Sequence, residues 1–188
     1  MLERRDFVKG LLADRGDLLV VSGLGSATYD VAAAGDHPLN FYLWGAMGGA
    51  AMIGLGLALA RPDRRVAVLT GDGDMLMGMG SLATIGVKQP RNLAIVVLDN
   101  AHYGETGMQA SHTNSGIDLV ATALACRFRQ AHAVSRIEDT AEVRALLHAG
   151  DGPLLVNARI SEEDVPRVLP IRDGHAIKQR FIQALNSV

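Results

Sequence analysis

The sequence predicts an α/β fold, a three-layer open parallel sheet with helices on both faces. Several apolar, partly β-branched runs end in glycine or polar residues, as buried strands do before tight turns. These runs are apolar at consecutive positions and alternate with helical segments, which indicates strands covered on both faces. The 188 residues suffice for one complete core, and no repeat or linker divides them. We therefore expect a single domain over residues 1–188.

The elements follow one another in a regular order. The helix predicted over 47–60 ends at Arg61, because the following Pro62 disfavours helical geometry in its predecessor. The segment 161–174 is punctuated by prolines and is expected to be extended on the surface. The other predicted helices lie within 1–16, 74–88, 117–128, 138–150 and 174–188, and the predicted strands within 17–25, 64–73, 92–100, 129–135 and 152–160.

Composition excludes several classes of protein. Apolar residues make up 48% and charged residues 20% of the chain, and the net charge of −2 provides no basic field for nucleic acid. Cys126 is the only cysteine, so this chain alone builds no disulfide, zinc–thiolate site or iron–sulfur cluster. The start of the chain has no signal-peptide pattern, and the longest apolar run, 46–60, is shorter than a membrane span. We expect a cytoplasmic protein with no nucleic-acid or membrane partner.

Three predicted strands end in conspicuous polar or glycine sequences: 23–26, 71–74 and 99–102. In open α/β sheets, ligands bind beyond the carboxyl ends of the strands, so these turns are expected to share one edge. The turn at 71–74 offers backbone N–H groups at a helix start, which suit an anion. Its carboxylates, Asp72 and Asp74, would repel a bare phosphate, and a divalent cation resolves this conflict.

Oxygen ligands for such a cation are available on two consecutive strands. Asp72 can supply a carboxylate, Asn100 a side-chain carbonyl, and the backbone near His102 a further carbonyl; Mg²⁺ prefers such ligands. Asp72 and Asn100 are 28 residues apart, the length of one helix and one strand. A GDG turn alone is weak evidence, but GDG with an Asn that closes the next strand is much stronger.

This pattern resembles the signature of thiamine diphosphate-dependent enzymes, in the domain that binds the cofactor's diphosphate. The resemblance implies the thiamine diphosphate-binding fold, with Mg²⁺ held by Asp72, Asn100 and the main-chain carbonyl of His102. It also implies that Met47 props the cofactor into its V-shaped conformation and that the Gly45 carbonyl accepts from the pyrimidine amino group. The remaining cofactor contacts it implies are Gly25, Ser26, Gly71, Gly73, Asp74, Met75 and Tyr103.

One branch of the family is more similar. "GDGDMLMGMGSLATIG", "LDNAHYGETGMQASHT" and "VPRVLPIR" resemble sulfopyruvate decarboxylase β subunits and the C-terminal part of phosphonopyruvate decarboxylases. The resemblance is weakest over 127–160. Two departures are Asp74, where the family often has Ser or Ala, and Asp99, where an Asn is usual. The implied function is the β subunit of a thiamine diphosphate- and Mg²⁺-dependent 2-oxo acid decarboxylase.

The resemblance also implies a partner. In the family a glutamate on a separate pyrimidine-binding domain activates the cofactor, and 188 residues cannot hold both domains. We expect a separate α subunit with that domain, a hetero-oligomer, and a small 2-oxo acid substrate. The candidate groups on the substrate side lie on the long loop after Asn100: His102, Tyr103, Glu105, Thr106, Gln109 and His112.

Other interpretations of the same residues stay open. Asp72 and Asn100 could be a turn residue and a helix cap, Met47 a core methionine, and Glu105 a helix-start charge. The chain could instead be half of an acetolactate-synthase-like carboligase or of a 2-oxo acid:ferredoxin oxidoreductase. A non-catalytic cofactor-binding paralogue is a further alternative. A dinucleotide site fits poorly, because Thr28 takes the place of the third glycine.

Overall fold

The computed structural model describes residues 2–163 and 165–187. Met1, Asp164 and Val188, which the sequence places in the first helix, the extended segment and the last helix, lie outside the described residues. The helices are α1 Arg4–Leu11, α2 Ser26–Ala33, α3 Ala50–Ala60, α4 Asp72–Met77, α5 Gly80–Lys88, α6 Leu119–Ala125, α7 Thr140–Ala149 and α8 Gly174–Asn186. The strands are β1 Leu19–Ser22, β2 Asn40–Tyr42, β3 Val66–Gly71, β4 Leu93–Asp99, β5 His102–Tyr103, β6 Gln109–Ala110, β7 Gln130–Val134 and β8 Leu154–Arg159.

Six strands form one sheet in the order β2-β1-β3-β4-β8-β7, and every neighbouring pair is parallel. The predicted open parallel sheet is therefore confirmed. The short strands β5 and β6 make a separate antiparallel hairpin inside the loop that follows β4.

Helices cover both faces of the sheet. Successive residues of the central strands point into two different cores: in β4, Ile95 joins one core and Val96 the other. The first core holds side chains of α1, α2 and α7, and the second holds side chains of α3, α4, α5 and α6. This arrangement explains why the strands are apolar at consecutive positions, and it confirms the three-layer architecture.

Two predicted helices have different bounds in the structure. The helix expected over 47–60 begins at Ala50, and the one expected over 74–88 is two helices, α4 and α5. The break lies at Gly78, which packs directly on Gly48: a Cβ at Gly78 would stand 2.2 Å from the Gly48 carbonyl oxygen. The chain turns at Gly78 because the backbone there packs against that of Gly48. These two residues are distant in sequence, so no local sequence pattern predicts the break.

The segment after β8 crosses the carboxyl edge of the sheet without helix or strand in its described part. The Trp44 indole donates to the carbonyl of Ile171 at 2.9 Å, and the guanidinium of Arg167 stacks over the Tyr29 ring at 5.6 Å. The expected position on the surface is seen for the described residues, and these contacts attach the segment near the ends of β1 and β2. Among the described residues, no helix has the length and apolarity needed to cross a membrane.

Candidate cofactor site

A cleft of about 700 Å³, including solvent at its mouth, opens at the carboxyl ends of β1, β3 and β4. The three turns singled out in the sequence meet there, as expected for a parallel sheet. Of the residues predicted for the site, those that line the cleft are Ser26, Met47, Gly71, Asp72, Gly73, Asp74, Asn100, His102, Tyr103, Glu105 and Thr106.

The turn between β1 and α2 forms one side of the cleft. Gly25 has φ +71°, a conformation that side chains rarely adopt, and it precedes the first residue of α2. The Thr28 hydroxyl donates to the Gly23 carbonyl at 2.8 Å and lies 2.6 Å from the Ser22 hydroxyl. Thr28, which breaks the dinucleotide pattern, therefore holds this turn together from inside.

Asp72 is a buried carboxylate in need of a cation. It is 2% exposed, and no Lys, Arg or His of residues 2–163 and 165–187 forms an ion pair with it. Burial raises the pKa of Asp72, the negative charge of Asp99 raises it further, and a hydrogen bond from Ser111 opposes both. A buried carboxylate without a counter-charge is unfavourable, so a bound cation would satisfy it.

Asp99, at the end of β4, is buried like Asp72 but is fully partnered. It accepts hydrogen bonds from the Thr113 hydroxyl at 2.8 Å and the Asn157 amide at 3.0 Å, and Arg159 pairs with it at 3.2 Å. Asp99 is thus a structural acid under the site. No local sequence pattern marks Asp99, Ser111 or Thr113 as part of the site, because the side chains that contact one another here lie far apart in the chain.

The carboxylate of Asp74 also has a structural position. It accepts hydrogen bonds from the Gly48 main-chain N–H and the Thr70 hydroxyl. These bonds tie the turn before α3, which includes Met47, to the end of β3. The side chain of Asp74 is therefore occupied by protein, and its backbone lines the cleft.

Asn100 and His102 begin the long loop in a tight turn. The Asn100 side-chain oxygen accepts the His102 N–H at 3.0 Å, and the His102 Nδ1 lies 2.9 Å from the Asn100 carbonyl oxygen. An amide oxygen has two lone pairs, so Asn100 can accept this N–H and still bind a metal. The described residues hold no group of three His, Cys, Asp or Glu side chains that could bind a metal. A cation here would need amide, backbone, phosphate or water oxygens beside Asp72, a set that suits Mg²⁺.

The Tyr103 ring and the Met47 side chain both lie beside Gly73 of the GDG turn. A Cβ at Gly73 would stand 2.5 Å from the Tyr103 ring and 3.4 Å from the Met47 terminal methyl. The Tyr103 hydroxyl is 2.9 Å from Nδ1 of His112, with the two rings edge to face. His112 itself does not line the cleft and is connected to it through Tyr103.

Glu105 lies over the first turn. A Cβ at Gly25 would meet its side chain at 2.6 Å, and Arg167 approaches its carboxylate at 3.9 Å. The loop after Asn100 therefore covers Gly25 and Gly73, two of the three glycines at which the family resemblance implies diphosphate contacts.

Four other predicted residues do not line the cleft: Gly25, which Glu105 covers, and Gly45, Met75 and Gln109. The Met75 side chain is buried in the core that includes α3, so the predicted contact of Met75 with a cofactor would have to come from its backbone. Gly45 does not line the cleft, and Gln109 hydrogen-bonds to Thr106 within the loop. Arg4 and Asp30, which the sequence analysis did not select, do line it.

The fold and the site together define a class of protein. A parallel sheet whose consecutive strands end in GDG and Asn, around a cleft with an uncompensated carboxylate, is the arrangement expected of a thiamine diphosphate-binding domain. Residues 23–158 match the family described as "Thiamine pyrophosphate enzyme, C-terminal TPP binding domain". The chain belongs to this family, as the sequence analysis predicts.

Two relatives are similar to this chain over most of its length. The chain is 44% identical over 144 residues to a phosphonopyruvate decarboxylase of Streptomyces viridochromogenes, a match covering 77% of this chain and 36% of that protein. It is 39% identical over 185 residues to the sulfopyruvate decarboxylase subunit beta of Methanothermobacter thermautotrophicus, covering 97% of this chain and 95% of the relative. The chain thus spans about a third of the first relative and nearly all of the second.

A solved structure supports the fold. The 2-oxoglutarate:ferredoxin oxidoreductase from Magnetococcus marinus superposes with a TM-score of 0.68 at 21% identity, covering 94% of this chain and 74% of that one. At this identity the similarity shows the fold alone.

Proposed function

We propose that this chain is the β subunit of a thiamine diphosphate- and Mg²⁺-dependent 2-oxo acid decarboxylase of the sulfopyruvate or phosphonopyruvate type. One observation carries the proposal: Asp72 is buried with no ion-pair partner among residues 2–163 and 165–187, in the same cleft as Asn100. The 39% identity to a sulfopyruvate decarboxylase subunit beta over almost its whole length supports it. We take residues 1–188 to act as one domain.

The charge of the residues present fits the cofactor and its metal. Mg²⁺ would be held by the Asp72 carboxylate, the Asn100 amide oxygen and the His102 main-chain carbonyl. When bound, thiamine diphosphate supplies the electron sink for the carbanion that decarboxylation leaves. Met47 would support the ring system beside Gly73, and the Gly45 carbonyl would accept from the pyrimidine. The diphosphate would take backbone donors from Gly25, Ser26, Gly71, Gly73, Asp74 and Met75.

The loop after Asn100 would face the substrate. His102 and Glu105 line the cleft, and Tyr103 connects it to His112 through the 2.9 Å hydrogen bond. We propose that these side chains orient the 2-oxo acid and hold a proton near it. Tyr103 would also exclude water from the GDG turn, since its ring covers Gly73.

A partner subunit is part of the proposal. Helix α3 contains no polar residue, yet Met52 is 42% and Leu59 49% exposed on its outer face. Such a helix is normally buried all round. Met77, also exposed, lies beside the Gly48–Gly78 contact and so continues this apolar face to the cleft. We propose that an α subunit with a pyrimidine-binding domain and the activating glutamate covers the face.

Leu59→Asp tests the docking surface. We expect it to abolish copurification with a coexpressed pyrimidine-binding chain, whereas Ile137→Asp, which changes an equally exposed residue outside this face, should not. Equal copurification of both variants would contradict the assigned surface.

Calorimetry with Mg²⁺ and thiamine diphosphate tests the function, on the chain alone and with its coexpressed partner. We expect binding that Asp72→Asn abolishes and that Asp63→Asn, a change of an exposed acid paired with Arg61, leaves intact. Release of CO₂ and an aldehyde from sulfopyruvate or phosphonopyruvate should follow in the complex. Absence of binding in every combination, or full binding by Asp72→Asn, would refute the proposal.

A second function is favoured by one observation, the 34% identity over 113 residues to the 2-oxoglutarate oxidoreductase subunit KorB of Mycobacterium tuberculosis, a match covering 58% of this chain and 28% of that protein. With pyruvate, free acetaldehyde indicates decarboxylation and acetolactate indicates a carboligase. Reduction of a ferredoxin would require an iron–sulfur cluster on another chain. Cofactor binding without turnover in all combinations would indicate a non-catalytic paralogue.

A further inference from the structure

Helix α1 begins with two arginines that share one buried carboxylate. Arg4 pairs through Nε with Asp30 at 3.2 Å, and Arg5 pairs through Nε with the other oxygen of Asp30, also at 3.2 Å. The Asp30 side chain is fully buried, and that of Arg4 is only 8% exposed. Two positive charges thus face one negative charge, and one of the two cations is almost completely removed from solvent.

Stability alone gives a poor account of Arg4. It is the first residue of α1, where the helix dipole disfavours a positive charge. Its burial carries a desolvation penalty that a single ion pair seldom offsets. Its guanidinium donates no hydrogen bond to any residue of 2–163 or 165–187, although an arginine has five N–H donors. These features are typical of a cationic side chain that binds an anionic ligand.

The position of Arg4 identifies the ligand. Arg4 and Asp30 both line the cleft that contains Ser26, Asp72 and Asn100. Asp30 lies four residues after Ser26 in α2, about 6 Å along the helix. Arg4 therefore lies about one helical turn from the loop at Gly25 and Ser26, on the same side of the cleft.

We propose that Arg4 binds the diphosphate of the cofactor as an additional cation, a role that rests on the function proposed above. Mg²⁺ shares its charge with Asp72, so the metal alone does not neutralise a diphosphate. The planar guanidinium of Arg4 supplies the missing positive charge and can hold two phosphate oxygens. Asp30 orients it, and Arg5, which does not line the cleft, pairs with the other oxygen of Asp30.

Arg4→Gln and Arg5→Gln form a matched pair of variants. Each removes one ion pair with Asp30, but Arg5 does not line the cleft. We expect Arg4→Gln to weaken the binding of Mg²⁺–thiamine diphosphate by about ten- to a hundredfold, and Arg5→Gln by less than about threefold. Arg4→Lys should restore part of the affinity. Binding is measured by calorimetry on the subunit complex, with circular dichroism to show that each variant is folded.

The double variant Arg4→Gln/Asp30→Asn separates a direct contact from a stray charge. If Arg4 touches the diphosphate, the double variant stays as weak as Arg4→Gln. If Asp30, left with Arg5 as its ion-pair partner, merely repels the cofactor, affinity returns, and the proposal is overturned.

The other source of an anionic group is the substrate. If Arg4→Gln raises the KM for sulfopyruvate or phosphonopyruvate and leaves the cofactor affinity unchanged, Arg4 serves the substrate and the proposal is wrong. Equal weakening by Arg4→Gln and Arg5→Gln would also overturn it. Failure of the unaltered complex to bind cofactor would refute the proposed function itself, a result distinct from loss of affinity in Arg4→Gln alone.

Discussion

The main-chain N–H of Gly48 donates to a carboxylate oxygen of Asp74, 26 residues further along the chain. The second oxygen of Asp74 accepts from the Thr70 hydroxyl. One buried side chain thus connects the turn that carries Met47 to the strand that leads into the GDG turn. The two aspartates of this turn have separate tasks: Asp74 maintains its shape, and Asp72 lines the cleft with no ion-pair partner among the described residues.

Loss of the Asp74 carboxylate is expected to destabilise the protein. Asp74→Ala leaves two buried donors without an acceptor, so the free energy of unfolding should fall by about 2–3 kcal/mol. Asp74→Asn retains one accepting oxygen and should lose less. Urea unfolding of both variants measures this, and equal losses would show that the hydrogen bonds are not the cause.

The Asp72 carboxyl makes stability depend on pH. Because burial and Asp99 raise its pKa in the folded state, the folded protein retains this proton at pH values where the unfolded chain has lost it. Its favourable contribution is complete below the unfolded pKa and is lost as pH rises through the folded pKa. Asp72→Asn should therefore match the natural chain in Tm near pH 3 and exceed it at pH 7.

Ligands should reverse that order. With Mg²⁺ and thiamine diphosphate at about a hundred times Kd, the natural chain gains about 2.7 kcal/mol, and Asp72→Asn gains nothing. If Asp72→Asn is the less stable protein at pH 7 without ligands, the carboxylate has a partner in solution that the structure does not show.

Gly73→Ala should separate binding from stability. The new Cβ would overlap the Tyr103 ring, which lies on a half-buried loop and can move, while Ala gains helix propensity in α4. We expect an unchanged or higher Tm with cofactor affinity reduced about tenfold or more. Gly80→Ala, where a Cβ meets nothing within 4 Å, is the control and should bind normally. Normal binding by Gly73→Ala would remove this turn from the site.

The terminal helix is held by an aromatic contact. Phe181 of α8 packs edge to face on Phe41 of β2, with ring centroids 5.6 Å apart, and is 5% exposed. Phe181→Ala should lower the free energy of unfolding by about 3 kcal/mol. Its neighbour Ile182 is 40% exposed, and Ile182→Ala should lower it by less than about 1 kcal/mol. Similar losses would mean that α8 is not anchored through Phe181.

The central sheet could be predicted from sequence because β1, β3 and β4, and the first three residues of β8, are buried on both faces, so each of these strands contains a continuous apolar run. Strand β2 was not predicted, because it has only three residues and begins with Asn40, a buried polar residue that is hydrogen-bonded to Arg15. Helix α2 was not predicted either. It buries the charged residue Asp30, whose ion-pair partners among the described residues are arginines more than twenty residues earlier in the chain.

The candidate site also contains some residues that the sequence predicts and others that it does not. Asp72 and Asn100 follow consecutive strands, so the geometry of a parallel sheet alone brings them to one edge. Arg4, Thr113 and Arg159 reach the site through tertiary packing, and nothing near them in the sequence marks them. The structure also shows which predicted loop residues line the cleft and that His112 does not.

The side chains over the two glycines have a kinetic consequence. Glu105 lies on Gly25 and Tyr103 on Gly73, so a ligand that reaches both backbones must first displace the loop. Uptake then has an opening step that precedes contact, and its observed rate should approach a ceiling as ligand concentration rises. The half-time of activation at saturating cofactor would measure that opening directly.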